Sequence, residues 1–501
     1  MSHAVRVSRR RWLGRAAALG WAALGYRTAA ALGGAVRALA TPASGAAGAG
    51  EVYDLVIHNA RAMDPARGMD EAGIAVAVQG ERIAAITRAP LRGRREIDAA
   101  GRVVAPGFID ILSYDPNAYG VWYKIADGVT TNLAMHGASA EMGAWYRAYE
   151  RARLPLHFGG AFYYGAARAR LGIGRYAPAQ PAQIARLSAL AARAVREGAL
   201  GISMSPEYVP GTTTAEIEAM MRVAAAHRVL FSVHVRYSDM EPPGTNLDAL
   251  REVLGAARRT GAAVHINHIH STGGTFSMAE SLRLLDEARA DGVDVTACVY
   301  PYTFWATYLN SARFDPGWQR RFRIDHGDLQ LAGTTERLTP ASFVRYRQQG
   351  KVAVAYAIPE DDLVAALRSP LVMIGSDAIL EPGNNNHPRA AGTFARTLRV
   401  YVRERRVLGL MEALAKMTIM PARRLEMCAP ALRRKGRLQV GADADLVVFD
   451  PAAVADHATV EHPNRFSTGI DYVLVRGRVV KDPRGLRREV RAGRPVRAGP
   501  G

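Results

Sequence analysis

The sequence predicts an α/β protein: a distorted (β/α)8 TIM-like barrel plus a small β-sandwich built from both ends of the mature chain. Three observations carry this. Eight short apolar runs alternate with amphipathic helical stretches over about 270 residues. Short strands of alternating polarity flank that region on both sides. The chain has 501 residues, 49% of them apolar, ample for one large core and too apolar for disorder. Two cysteines, Cys298 and Cys428, exclude a disulfide scaffold and a zinc module built of cysteines.

The first segment reads as an export signal. Residues 1–50 hold seven arginines and no acid or lysine. Ser8-Arg9-Arg10-Arg11-Trp12-Leu13 resembles the twin-arginine pattern, a weakly apolar stretch follows, and Ala38-Leu39-Ala40 fits a cleavage site. The apolar run between Arg15 and Arg27 has only 11 residues, against about 20 needed to span a bilayer, so no stable membrane anchor is expected. The expectation is a twin-arginine signal over 1–40, a linker over 41–51, the twin-arginine export machinery as partner, and a periplasmic or secreted protein. The net charge of +19 invites a nucleic-acid reading. Residues 1–50 carry +7 of it and 483–501 another +5, so the charge concerns the ends, and no nucleic-acid partner is expected.

The sandwich takes its first part from 52–104, with strands at Asp54–Ile57, Gly73–Val78, Arg82–Thr87 and Glu96–Ala99. Its second part is 431–482, with Ala444–Phe449, Tyr472–Val475 and Arg478–Lys481. A basic tail follows over 483–501. The barrel occupies 105–430. Its eight runs are Phe108–Ile111, Val129–Met135, Leu156–Tyr163, Leu200–Met204, Leu230–Val233, Ala263–Asn267, Val293–Tyr300 and Leu371–Gly375. Ile184–Glu197, Thr214–His227, Leu247–Thr260 and Ser277–Asp291 read as helices between them. An irregular stretch of about 304–369 reads as an insertion over the barrel mouth.

Catalytic groups in such a barrel sit just past the C-terminal ends of the strands. Those positions hold His136 after strand two, Glu207 after strand four, His234 after strand five, His268 after strand six and Asp377 after strand eight. Imidazoles and carboxylates at adjacent strand ends converge on a divalent metal. Zinc suits this nitrogen and oxygen set, with one position left for water. His265 and His270 flank His268, and strand alternation alone does not separate His268 from His270.

Several motifs extend the reading. They include Val104-Ala105-Pro106-Gly107-Phe108-Ile109-Asp110, Gly128-Val129-Thr130-Thr131, Glu207-Tyr208-Val209-Pro210-Gly211 and Tyr300-Pro301-Tyr302. Further on stand Gly375-Ser376-Asp377, His387-Pro388-Arg389-Ala390-Ala391-Gly392-Thr393-Phe394 and Gly441-Ala442-Asp443-Ala444-Asp445. In order and spacing the chain from about Val52 to Lys481 resembles the amidohydrolase superfamily, and within it the D-aminoacylase or N-acyl-D-amino-acid deacylase group. The resemblance implies a bound zinc and hydrolysis of a linear amide. It selects His268 as the strand-six ligand and places His270 where the family often has a lysine near the substrate.

The chain departs from that pattern in two places. Leu112 and Tyr114 occupy the positions of the usual His-x-His pair, and His136 stands where many deacylases have a metal-binding cysteine. No lysine follows strand four, which disfavours a cyclic-amide hydrolase of the dihydroorotase or hydantoinase kind. The expectation is one zinc held by Glu207, His234 and His268, with His136 as an extra ligand and Asp377 as general acid and base. The substrate is a small-molecule amide, an N-acyl-D-amino acid. Tyr208, Arg236, His270, Tyr302 and Arg389 are the candidates to bind its carboxylate. The rival reading is a metal-poor barrel of the same superfamily kept for binding alone.

Overall fold

The computed structural model describes residues 51–499. The export signal expected over 1–40 and all but the last residue of the linker lie outside the described residues. No helix among the described residues is long and apolar enough to cross a membrane.

Eight parallel strands form the barrel: β1 Phe108–Asp110, β2 Val129–Ser139, β3 His157–Tyr163, β4 Gly201–Met204, β5 Leu230–Val233, β6 Val264–Ile266, β7 Val295–Val299 and β8 Val372–Ile374. Each is hydrogen-bonded to the next in chain order. Every one of the eight apolar runs forms one of these strands. Apart from the mouth-side ends of β2 and β3 they are buried, which is why they read as predominantly apolar runs. Between them lie Pro181–Arg196, Thr214–Ala226, Asn246–Thr260 and Met278–Ala290. Thr213 and Thr245 cap two of these helices by accepting the Glu216 and Asp248 backbone N–H groups.

The seam between β1 and β8 is closed by side chains as well as backbone. The Asp377 N–H donates to the Leu112 carbonyl at 2.7 Å, and the Ser376 N–H donates to Asp110 Oδ1 at 2.9 Å. Buried Lys124 donates to Asp110 Oδ2 at 2.7 Å and to Ser376 Oγ at 2.6 Å. Gly375 is required here, because a Cβ on it would lie 2.8 Å from Leu112 Cβ.

The flanks of the barrel meet in a single nine-stranded sheet. Its junction is Val103–Pro106 paired antiparallel to Leu446–Phe449, with Val104 opposite Val448. Alternation divides the side chains between two cores. Val104, Leu446 and Val448 join Leu55, Ile57 and Val76 in one cluster, while Val103, Val447 and Phe449 join the barrel core. The sandwich is therefore one sheet whose two arms line a shared core.

Two expectations need correction. The stretch of 304–369 is ordered, not irregular. Trp305–Tyr308, Leu329–Leu331 and Val352–Ala355 form an antiparallel three-stranded sheet with its own core of Trp305, Phe314, Trp318, Phe322 and Phe343. The helix Glu360–Arg368 already belongs to the barrel, since Leu363, Ala366 and Leu367 pack into the barrel core. The 483–501 segment, expected only as a basic tail, is bonded to the barrel as far as it is described. The Gly493 N–H donates to the Leu154 carbonyl, Val496 N–H to Phe158 and Ala498 N–H to Gly198, and Ala492 and Val496 are buried. Backbone bonding and two small apolar side chains hold it under the barrel, and neither shows as a pattern among six arginines.

Candidate metal centre

The site stands at the C-terminal mouth of the barrel. His136 lies within β2, in a stretch where pairing with β3 shifts register between Gly160 and Phe162. Gly137 has φ +128°, and a Cβ there would lie 2.6 Å from the Tyr163 ring, so this turn of the strand needs glycine. His234 follows β5 and donates its N–H to the Met204 carbonyl. His268 follows β6 and Asp377 follows β8. Both adopt positive φ, +30° and +51°, in a region costly for residues with a Cβ.

These positions bring three imidazoles together. One nitrogen from each of His136, His234 and His268 lies within 4.8 Å of the others, and all three residues are buried. His234 Nδ1 is 3.2 Å from His268 Nε2. Asp377 borders the group on one side, with Oδ1 3.8 Å from His136 Nε2 and Oδ2 3.8 Å from His268 Nε2. Burial pulls the pKa of all three histidines down, which favours neutral rings, each with one nitrogen lone pair free. Burial pushes the Asp377 carboxyl up, but the groups around it, the Arg389 guanidinium foremost, outweigh it and hold it below the ordinary carboxylate range. Three neutral nitrogens beside an ionised carboxylate are the donor set zinc takes in catalytic sites.

Glu207 is placed differently from the expectation. Its Oε2 lies 2.5 Å from His234 Nε2, the ring nitrogen other than the one facing His268. The same oxygen accepts from Ser238 Oγ at 2.8 Å and faces Arg313 Nη1 at 3.3 Å. Glu207 thus stands behind a histidine of the triad, where a carboxylate orients the ring.

The five carboxylate-binding candidates divide. Arg389 donates from Nη2 to Asp377 Oδ2 at 2.8 Å, while its Nε and Nη1 are buried without a protein partner. His270 packs edge-on to Tyr300 at 4.2 Å, with both ring nitrogens unpartnered and its pKa pulled down to about 3 by burial. Tyr208 packs 4.7 Å from the His234 ring. Arg236 is not brought to the triad. Both faces of its guanidinium are spent, two bonds on Glu252 and one on the Thr212 carbonyl. Tyr302 is also turned away, packed on His387 at 5.3 Å and under the Arg396 guanidinium at 4.7 Å. A tight turn, in which the Tyr302 N–H donates to the Tyr300 carbonyl, separates these two rings.

Tyr300 takes the place expected of Tyr302. Its hydroxyl has no partner and the Arg389 guanidinium lies 4.4 Å over its ring. Arg313, from a helical turn of the insertion, is the other residue that sequence reasoning missed. It is 3% exposed, stacks on Trp305 at 4.1 Å and donates to the Ser271 carbonyl. Nothing local in its sequence marks it; only the fold carries it to Glu207. His265 is not brought to the triad; its Nδ1 lies 2.8 Å from Thr296 Oγ1 instead. A cavity of about 300 Å³ opens beside Glu207, between Tyr176, Tyr237 and Arg321. Cavities of about 550 and 500 Å³ elsewhere are lined by none of the triad and assemble no such set.

Known proteins resemble this chain over most of its length. The model of the Amidohydrolase family matches residues 126–481. The N-acyl-D-glutamate deacylase of Alcaligenes xylosoxydans xylosoxydans is 34% identical over 475 residues, 85% of this chain and 93% of that one. The N-acyl-D-glutamate deacylase of Bordetella bronchiseptica, solved with zinc and a phosphonate mimic of the tetrahedral intermediate, superposes with TM-score 0.76. It is 28% identical, covering 89% of this chain and all of that one. A D-aminoacylase structure, described by one-metal activation and second-metal attenuation of a binuclear centre, gives TM-score 0.76 at 27% identity over the same shares. The chain belongs to the amidohydrolase family and is a metal-dependent hydrolase of carbon–nitrogen bonds other than peptide bonds.

Proposed function

We propose that this protein is an exported hydrolase of N-acyl-D-amino acids in which His136, His234 and His268 hold one zinc ion and Asp377 moves the protons. The observation that carries the reading is the convergence of three neutral imidazoles beside one ionised carboxylate at the mouth of the barrel. Zinc bound there supplies a Lewis acid that polarises the amide carbonyl and acidifies water.

The remaining work falls to side chains. Asp377, kept ionised by Arg389, accepts a proton from the attacking water at a carboxylate oxygen. It returns that proton to the amide nitrogen as the C–N bond breaks, which an amine leaving group requires. Glu207 accepts from His234 Nε2 and fixes the tautomer that leaves Nδ1 free. The unpartnered Nε and Nη1 of Arg389, the Tyr300 hydroxyl and the His270 ring are buried polar groups without partners. Such groups are costly unless something binds them, and a substrate carboxylate answers most of them. The relatives named for D-glutamate and D-amino-acid substrates support this choice of substrate class.

Export rests on the twin-arginine pattern of Ser8-Arg9-Arg10-Arg11-Trp12-Leu13. Fractionation of cells carrying the full chain, with and without Arg9→Lys and Arg10→Lys, tests it. Export of both forms alike would refute the signal. Release of free amine from matched N-acyl-D- and N-acyl-L-amino acids tests the chemistry. Hydrolysis of the D series alone is expected; equal turnover of both hands, or cleavage of ring amides only, would refute it.

A further inference from the structure

The loop after β1 bears on how many ions the centre accepts and on what holds Asp377. Leu112 is fully buried, its backbone carbonyl taken by the Asp377 N–H and its side chain against Gly375. It offers a metal nothing. Tyr114 points the other way. Its hydroxyl donates to Asp377 Oδ1 at 3.2 Å, and its ring stacks on His136 with centroids 5.1 Å apart and planes 29° apart. Asn132 Nδ2 donates to the Tyr114 carbonyl at 3.0 Å and fixes the backbone from β2.

Asp377 is therefore gripped at both oxygens, Oδ1 by the phenol and Oδ2 by Arg389. A second cation on the Leu112 side of Asp377 would have to expel the phenol and would meet the Arg389 guanidinium. Asp377 would be its sole anionic ligand, shared with that guanidinium. Among the described residues, no second group of three His, Cys, Asp or Glu side chains is close enough to hold an ion.

We infer that Tyr114 is a positioning residue: with Arg389 it fixes the Asp377 carboxylate beside the triad, and its phenol fills the place on the Leu112 side where a second ion would have to sit. The inference rests on the reading of His136, His234 and His268 as the metal ligands. It goes beyond that reading by assigning the phenol a role and giving a physical reason for the single ion. The consequence for this chain is that excess zinc leaves its activity unchanged.

The test uses the full chain and two readouts besides turnover. Equilibrium dialysis against rising zinc is expected to saturate at one ion per chain, in wild type and in Tyr114→Phe alike. The double substitution Leu112→His with Tyr114→His, which supplies two imidazoles, is expected to raise this to two. After replacement of zinc by cobalt(II), Tyr114→Phe is expected to lower the visible absorptivity, because the freed carboxylate swings onto the ion and raises its coordination number. On the N-acyl-D-amino acid the wild type turns over, kcat of Tyr114→Phe falls about tenfold or more with KM nearly unchanged. Two ions bound by wild type at saturation would overturn the one-ion claim. A cobalt spectrum of Tyr114→Phe that superposes on wild type, or an unchanged kcat, would overturn the positioning role. Failure to bind any ion would instead strike the ligand assignment itself. One ion bound without deacylation would strike the substrate class alone, and the cobalt spectrum would still decide the role of Tyr114.

Discussion

The two ends of the barrel carry nearly the same chemistry and use it oppositely. At the bottom, His157, Lys435, Asp443 and Asp445 form a buried cluster. Lys435 Nζ reaches His157 Nε2 at 2.9 Å, Asp443 Oδ2 at 2.8 Å and Asp445 Oδ2 at 2.6 Å, while His157 Nδ1 accepts the Arg494 N–H. Both ring nitrogens of that histidine are satisfied. At the mouth, His270 has neither nitrogen satisfied, Arg389 lacks two partners and the Tyr300 hydroxyl has none. Backbone strain at His268 and Asp377 lies at the mouth as well. A buried polar cluster with every bond made binds the barrel to its flanking sheet. One with bonds left over is a site prepared for something not of the chain.

This contrast predicts which substitutions cost activity and which cost stability. The largest effect is expected from Asp377→Asn, which should lower kcat about a thousandfold or more while the chain folds and keeps its metal. A melting curve, metal analysis and rate assay on one preparation check this. Retained turnover would show that another group moves the proton. Lys435→Met, at the bottom, should cost about 3–5 kcal/mol of stability, because it leaves the buried Asp445 carboxylate without its cation, while Asp443 keeps Arg82 and Arg434. Denaturant unfolding reads that loss, and kcat of the folded enzyme should not change. Glu207→Gln is intermediate in kind. It should weaken zinc affinity about 10–100-fold, measured by competition with a chelator, with little change in the melting temperature.

The smallest effect concerns pH. Burial pushes the Asp445 carboxyl up, but His157 and Lys435 outweigh it and hold its pKa well below the ordinary range. A carboxylate depressed in the folded state stabilises fully above its unfolded pKa of about 3.9 and loses that contribution as pH falls further. The melting temperature should therefore drop on acidification below about pH 4. Asp445→Asn should start lower and fall less steeply across that window. Equal slopes for both proteins would remove Asp445 from the account.

Much of the mouth was legible in the sequence because a parallel barrel ties position along the chain to position in space. His136, His234, His268 and Asp377 each follow or end an apolar run, and the strand ends converge whatever the helices between them do. What was not legible depends on directions that strand periodicity does not encode. Glu207 follows β4 as expected, but whether it faces the triad or stands behind His234 is decided by Ser238 and Arg313 on other loops. Tyr300 and Tyr302 are two residues apart and would share a face on a strand. The chain turns at Pro301, so one ring reaches the site and the other does not. Arg236 looked free because its partner, Glu252, lies one helix further on. In the flanking sheet, each arm was legible from alternation. That the two arms pair was an inference from shared texture alone; the register, Val104 opposite Val448 across more than three hundred residues, was not legible.

The central claim is that the unsatisfied cluster at the mouth is a catalytic metal site. Metal analysis of the purified full chain, joined to an amide-hydrolysis assay before chelation, after it and after zinc is restored, tests it most directly. One tightly bound ion per chain, hydrolysis of N-acyl-D-amino acids, loss of both on chelation and recovery of both with zinc are expected. A chain with no tightly bound metal, and no amide hydrolysis after zinc or another divalent ion is supplied, would contradict it.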